Sequence, residues 1–358
     1  MTKADFLAAL AAALRTHGVA ADDLLADFND HFDEALRAGK TEAEICAVLG
    51  DPGAIAAELG DMTPPEPQSQ TVPGPEPAAD AAVVVHLTSA NLRCEPADGP
   101  EPAVEVWRGG QRVDDDTIRV TGTAGSLRVV QHAEPDLLRR LFSAFMGLTV
   151  IVRLPGNTPS LAVYVGSGNI RVQNLTVGTS LTVEGKSGNA HLTAVCASQL
   201  TVTTRSGNLT VEDCAGTLVA TCRSGNVHVR SHEGSVIRAA ATSGNVRVGA
   251  GRISQAAVIE TKSGSVDVDL GSLEAGLDLR CLSGNITFRV QELGGDITAR
   301  TGSGNVTGYL KRDVRAVIYQ EARGLSGQFP GAQGVPSAAG VPVVHLATRS
   351  GSAKVKQL

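Results

Sequence analysis

Three carboxylates, Asp267, Asp269 and Asp278, lie near enough in the chain to suggest the general acid and base of a glycosidic-bond-cleaving site. That chemistry needs one carboxyl kept neutral beside one kept ionised. Nothing in the neighbouring sequence sets the three apart, and each reads as a solvated surface acid. His86, His132, His191, His228, His232 and His345 fall at no metal-ligand spacing, and His191 and His228, which share one repeat position, are two repeats apart. No P-loop, dinucleotide fingerprint or HExxH is present. Three Tyr and one Trp leave few rings for stacking on sugars. The expectation is a protein that is not an enzyme and takes no cofactor and no metal.

A second set of polar residues recurs instead. Ser-Gly-Asn or Ser-Gly-Ser begins at residues 167, 187, 206, 224, 243, 263, 283 and 303, at intervals of 18 to 20 residues, and again at Ser350. A constant period of this length marks a solenoid. After each tripeptide the third and fifth positions are apolar (Ile170 and Val172, Val227 and Val229, Val266 and Val268), with polar residues between them. That alternation is a strand with one buried face. A second strand precedes each tripeptide, as in Leu181 and Val183 or Leu200 and Val202. Each repeat is therefore one coil with at least two strands and a corner at the tripeptide. The glycine supplies a backbone angle that a Cβ would oppose, and the asparagine tolerates a left-handed conformation.

Ser167, Gly168 and Asn169, with Asn189, Asn208, Asn226, Asn245, Asn285 and Asn305, are expected to form a structural corner ladder, amide bonding amide up the stack. "SANLRC" at 89–94 and "AGSLRV" at 124–129 read as degenerate corners, which brings the expectation to about eleven coils of about 20 residues. Residues 135–147, "PDLLRRLFSAFMG", read as an insert helix with Leu138, Leu141, Phe142 and Phe145 on one face, a cap or a partner contact. A Gly/Pro/Ala-rich loop is expected near 322–341.

The remaining elements precede the repeats. Residues 1–60 read as four short helices, the third capped by Thr41 with Glu44 at the capping-box position and the fourth opened by Pro52. In the second, Leu25, Phe28, Phe32 and Leu36 form an apolar stripe, while Asp23, Asp27, Asp30 and Glu34 form an acidic stripe opposite, a candidate docking face for a basic partner. These 60 residues hold 4 Lys/Arg against 11 Asp/Glu; the rest of the chain is nearly balanced. No basic face follows from that balance, so no direct nucleic-acid binding is expected. Residues 61–82 carry six prolines and read as a linker between separate domains.

The N-terminal stretch reads as an amphipathic helix and not a cleaved signal. No run reaches the ~18 apolar residues of a membrane span. The six cysteines suit a reduced, cytoplasmic interior, with a pairing of Cys196 and Cys214 left open.

Two resemblances follow from these motifs. "DHFDEALRAGK", "TEAEICAVLGDP" and the closing "IAAEL" resemble the HAAS-type helical signalling domain of bacteria, over residues 1–60. That resemblance implies a regulatory module that docks a protein, a PadR-like transcription regulator or another copy of itself; here no transmembrane segments follow it. "TVIVRLPGNTPSLAVYVGSGNI" and the serial "SGNV" coils resemble the bacterial adhesin-like β-strand-repeat domains over residues 83–358, which implies a right-handed parallel β-helix-like solenoid and no catalytic residues.

The expected fold class is a small all-α N-terminal domain followed by an all-β, parallel β-helix-like solenoid. The expected function is a non-enzymatic regulatory scaffold. An envelope-associated adhesin and a carbohydrate-binding or -cleaving β-helix stand as alternatives.

Overall fold

The computed structural model describes residues 1–16, 25, 28–29, 32–33, 36, 40–60, 82–123, 126–132, 147–312, 314–321, 324–325 and 341–358. The chain divides into two compact units. One comprises Met1–Pro77, Glu105–Ile118 and His132–Val150; the other comprises Ala78–Val104, Arg119–Gln131 and Ile151–Leu358.

In the first unit, helices α1 (Lys3–Thr16), α2 (Glu42–Leu49) and α3 (Pro52–Gly60) bury Phe6, Leu10 and Leu14, four residues apart on α1, against Ile45, Leu49, Ile55 and Ala56. Phe28 and Phe32 are helical, fully buried, and set one turn apart. The Phe6 ring lies 5.5 Å from that of Phe32 and 6.3 Å from that of Phe28. Leu25 and Leu36 pack on the same core, so the apolar stripe expected of the second helix is the stripe that folds inward. The capping box forms as expected: Glu44 donates its N–H to Thr41 Oγ1 (3.3 Å), and Glu44 Oε2 accepts the Thr41 N–H (2.9 Å). Asp51 Oδ2 accepts the Ala54 N–H at the start of α3 (2.9 Å). No helix among the described residues is long and apolar enough to cross a membrane.

The second unit is a parallel solenoid. The strand before each corner pairs with its counterpart one coil away, and so does the strand after it. The register places Ser89, Ser167, Ser187, Ser206, Ser224, Ser243, Ser263, Ser283, Ser303 and Ser350 side by side in one column. Leu181, Leu200, Leu218, Ile237, Ala257, Leu277 and Ile297 form one inward row before the corner. Val172, Leu192, Val211, Val229, Val248, Val268 and Phe288 form another after it. These side chains are buried, each burial favouring the coil by about 1.5–3 kcal/mol for the larger ones.

Among the described residues the serine column holds ten serines, eight of them at the regular spacing of 18 to 20 residues, against the eleven coils expected. "SANLRC" is a coil: Leu92 and Cys94 align with Ile170 and Val172. The first two residues of "AGSLRV" lie outside the described residues. Its strand, Ser126–Gln131, which was expected to follow a corner, lies instead beside Val83–Ser89 as a pre-corner strand, with Val83 opposite Leu127 and Val85 opposite Val129.

Coil order also departs from chain order at the other end. The last coil, Val343–Ser350 and Ser352–Gln357, lies between the coil at Ile297–Leu310 and the strands Val317–Glu321 and Gly324–Leu325. The gap of 47 residues between corners is thus an outward excursion with strands of its own, and the expected loop near 322–341 is interrupted by Gly324–Leu325.

A second bend escaped the sequence reading. Asn174, Ala194, Asp213 and Ser231, each seven residues after a corner serine, have φ between 48° and 55°. The same position in later coils holds Ala250, Leu270, Val290 and Leu310, all buried; the first three lie in strands that run on, and Leu310 ends the strand Val306–Leu310. The change from small or polar to apolar at this position was the available signal.

Candidate functional site

The tripeptide corners are consumed by the architecture. Each corner asparagine offers its Oδ1 to the backbone N–H at the same place in the next coil: Asn91 to Asn169 (2.9 Å), Asn169 to Asn189 (3.1 Å), Asn189 to Asn208 (2.8 Å), Asn208 to Asn226 (3.0 Å) and Asn226 to Asn245 (2.9 Å). The ladder continues to Ser265, and from Asn285 through Asn305 to Ser352. Among the described residues the expected amide-to-amide bonds occur at two steps, Asn169 to Asn91 and Asn226 to Asn208. The backbone N–H is the better-placed donor, because peptide planes in adjacent coils are fixed by their own hydrogen bonds.

A second ladder lies inside the first. At five coils the residue two before the corner serine donates to the corner-glycine carbonyl of the preceding coil: Cys222 to Gly207 (3.2 Å), Thr261 to Gly244 (3.0 Å), Cys281 to Gly264 (3.2 Å), Thr301 to Gly284 (2.9 Å) and Thr348 to Gly304 (2.9 Å); Thr204 Oγ1, at the same position, is buried without a partner. Cys and Thr both serve there because both are small donors.

All six cysteines are free; Cys214 is buried while Cys196 is exposed. Burial pushes the Cys94 thiol up to about 12 and the Cys214 thiol up to about 11, so neither is a ready nucleophile.

Two of the three acids considered for catalysis, Asp267 and Asp278, are held by arginines. Asp267 accepts from Arg289 (2.9 Å) and lies 3.4 Å from Arg247; Asp278 accepts from Arg280 Nε (3.1 Å). Among the described residues no three His, Cys, Asp or Glu side chains converge as metal ligands. Asp23, Asp27, Asp30 and Glu34, and Leu138, Leu141, Phe142 and Phe145, lie outside the described residues.

His232 occupies a core position. It follows the second bend, where Leu175, Val195 and Cys214 stand in earlier coils, and it is fully buried. Nε2 lies 3.0 Å from the Gly216 carbonyl oxygen, and Nδ1 has no hydrogen-bond partner. Burial lowers its pKa, the Gly216 carbonyl opposing that shift. Above the ordinary value of about 6.5 the imidazole is neutral whether folded or unfolded. As the pH falls below that value the unfolded chain takes up a proton that the folded chain resists, so stability falls with the pH until the depressed folded pKa is reached. His232→Leu is expected to reduce the drop in thermal midpoint between about pH 7 and about pH 5. An undiminished drop would assign the acid sensitivity to other groups.

The concentration of charge that the sequence reading missed runs beside the corners. The residue just before each corner serine and the residue two before that one face outward. Read coil by coil, they place Lys186, Arg205, Arg223, Lys262, Arg280, Arg300 and Arg349 along one stripe. Between Lys186 and Arg349 the coil of Ala240 and Thr242 lacks a cation there, and the stripe does not extend to the coil of Tyr164 and Gly166. Seven coil spacings separate Ser187 from Ser350 in the stack, on the order of 34 Å at roughly 4.8 Å each. An open groove of about 1180 Å³ follows the stripe from Thr221 to Arg349, and Glu260 and the exposed Leu282 also line it. A balanced charge total hid this stripe because acids on other faces cancel it in the sum.

Residues 81–304 and 215–328 match the family described as Toastrack DUF4097, and residues 5–58 match HAAS. No curated protein matches the chain. Two solved structures are similar. One is an adhesin candidate from Bacteroides fragilis, 14% identical, covering 77% of this chain and 92% of its own, with a TM-score of 0.27. The other is a cell adhesion protein candidate from Clostridium sporogenes, 11% identical with the same coverage and a TM-score of 0.16. With its column of corners and its N-terminal HAAS region, the chain belongs to the Toastrack DUF4097 family.

Proposed function

We propose that the protein is a non-enzymatic scaffold of the cytoplasm whose HAAS head docks a protein partner, a PadR-like transcription regulator or a second copy of the chain, while the solenoid presents a rigid surface. The observation that carries this reading is the head's charge. Its core closes on Phe6, Phe28 and Phe32, and only Asp33, paired with Lys3, and Glu42, which accepts the Lys3 N–H, are seen tied into it among the described acids, yet its 60 residues hold 11 Asp/Glu against 4 Lys/Arg. Such an excess repels itself in a small domain and favours association with a cationic surface. The non-enzymatic part is supported by the corner asparagines being engaged in the ladder and by the arginine partners of Asp267 and Asp278.

The test uses the full chain and a PadR-like regulator from the same genome. Binding is expected, with an association rate that falls as salt rises. The combined variant Asp23→Asn, Asp27→Asn, Asp30→Asn, Glu34→Gln should slow association by about tenfold. A chain that neither binds the regulator nor self-associates in sedimentation would remove the reading. Recovery of the native protein in the envelope fraction would remove its cytoplasmic part.

A further inference from the structure

We infer that the stripe along the corner face binds an acidic polysaccharide, extended parallel to the coil stack and bearing about one carboxylate per sugar. The first observation is that its cations are left unneutralised. On other faces of the solenoid, cations find acids: Arg230 with Glu212 (3.2 Å), Arg247 with Asp267 (3.4 Å), Arg289 with Asp267 (2.9 Å), and Arg252 with Glu274. Along the stripe, Arg280 is held by Asp278. Among the described residues, Lys186, Arg205, Arg223, Lys262, Arg300 and Arg349 make no ion pair. Lys186, Arg205 and Arg223 stand on three consecutive coils, where like charges side by side oppose folding. An anion laid across them turns that repulsion into attraction.

The second observation decides which anion. The stripe is not purely basic: Glu184 and Glu260 share their coils with Lys186 and Lys262, and Thr203, Thr221 and Thr242 add hydroxyls. Carboxylates and threonines accept hydrogen bonds from sugar hydroxyls. A polyphosphate has no such donors, so nothing in it would compensate the two glutamates. Single-stranded nucleic acid is held by ring stacking as well as charge. From Glu184 to Arg349 the two outward positions of the stripe hold no aromatic ring. The spacing agrees too, since one coil and one sugar ring advance by similar lengths and seven of the eight coils from Lys186 to Arg349 carry a cation in the stripe. The groove is open along the stack, as a chain-like ligand requires.

This inference is independent of the head's partner, because every residue it uses lies in the solenoid. The test measures binding of the full chain to a polygalacturonate oligomer long enough to span the stripe, with dextran, polyphosphate and oligothymidylate as comparators, at low and high salt. Polygalacturonate is expected to bind, more weakly as salt rises, and in preference to all three comparators. Lys186→Ala/Arg205→Ala/Arg223→Ala should weaken it by about tenfold, as should Lys262→Ala/Arg300→Ala/Arg349→Ala. Arg205→Lys/Arg223→Lys should retain binding within about threefold, which separates lost charge from a disturbed fold. Absence of polygalacturonate binding, equal binding of polyphosphate or oligothymidylate, or alanine variants that bind like the native chain would each overturn the assignment.

Discussion

Gly225→Ala should lower the stability of the central coils by about 4 kcal/mol or more, or leave the chain insoluble. The corner glycine has φ of 137°, and an added Cβ would stand 2.7 Å from the carbonyl carbon of Gly207 in the adjacent coil. Neither side can give way. Gly225 donates to the Ser243 carbonyl at 2.9 Å, and Gly207 donates to the Ser224 carbonyl at 3.0 Å. The cost therefore combines a left-handed backbone strained by a side chain with a clash against fixed backbone. Gly251→Ala is the control. No atom lies within 4 Å of its Cβ position, and its φ is outside the left-handed region. Its effect should stay within about 0.5 kcal/mol. Hydrogen exchange of the flanking strands reads both, because a stacked repeat can open locally. Equal, small effects would mean that the corners do not pack coil on coil.

The second large effect is expected at Phe288 and Gly308. They are register partners in the inward row whose other members include Val248, Val268 and Val355. Phe288 is fully buried, and a Cβ on Gly308 would lie 2.8 Å from its Cε2. The ring thus fills the space that the next coil leaves empty. Phe288→Ala should cost about 3–5 kcal/mol. Gly308→Val alone should cost about 1–3 kcal/mol or more through overpacking. The double variant Phe288→Val/Gly308→Val restores an unbroken valine row, and urea unfolding should show it recovering about 2 kcal/mol relative to the sum of Phe288→Val and Gly308→Val. Additive losses would show that the two residues do not share one space.

What could be read from sequence follows from how each feature is encoded. The corners, the inward rows and the capping box at Thr41 are local patterns, repeated or confined to a few residues, and each was legible. Phe28 and Phe32 were legible as core for the same reason. Coil order at the ends was not. That Val343–Ser350 lies against Ile297–Ser303 is a pairing across distant sequence, and neither segment's pattern names its partner. Strand Ser126–Gln131 was placed after a corner and not before one because its apolar alternation suits either side. The second bend was encoded at the seventh position after each serine but is carried by four unlike residues, Asn174, Ala194, Asp213 and Ser231. The cationic stripe needed two outward positions to be read together down the stack. Lys186 and Arg349, its two ends, are 163 positions apart in sequence and join only once the register is known.

That register is the claim on which the rest depends, and the pair Ser303 and Ser350 tests it most directly. They are neighbours in the corner column although 47 residues apart in sequence. Strands paired at roughly 4.8 Å hold Cα atoms within the span a disulfide needs. In Ser303→Cys/Ser350→Cys, mild oxidation followed by peptide mapping should find these two residues linked, with Ser283→Cys/Ser350→Cys, one coil further apart, unlinked. Linkage in the second pair and not the first, or in neither, would contradict the column.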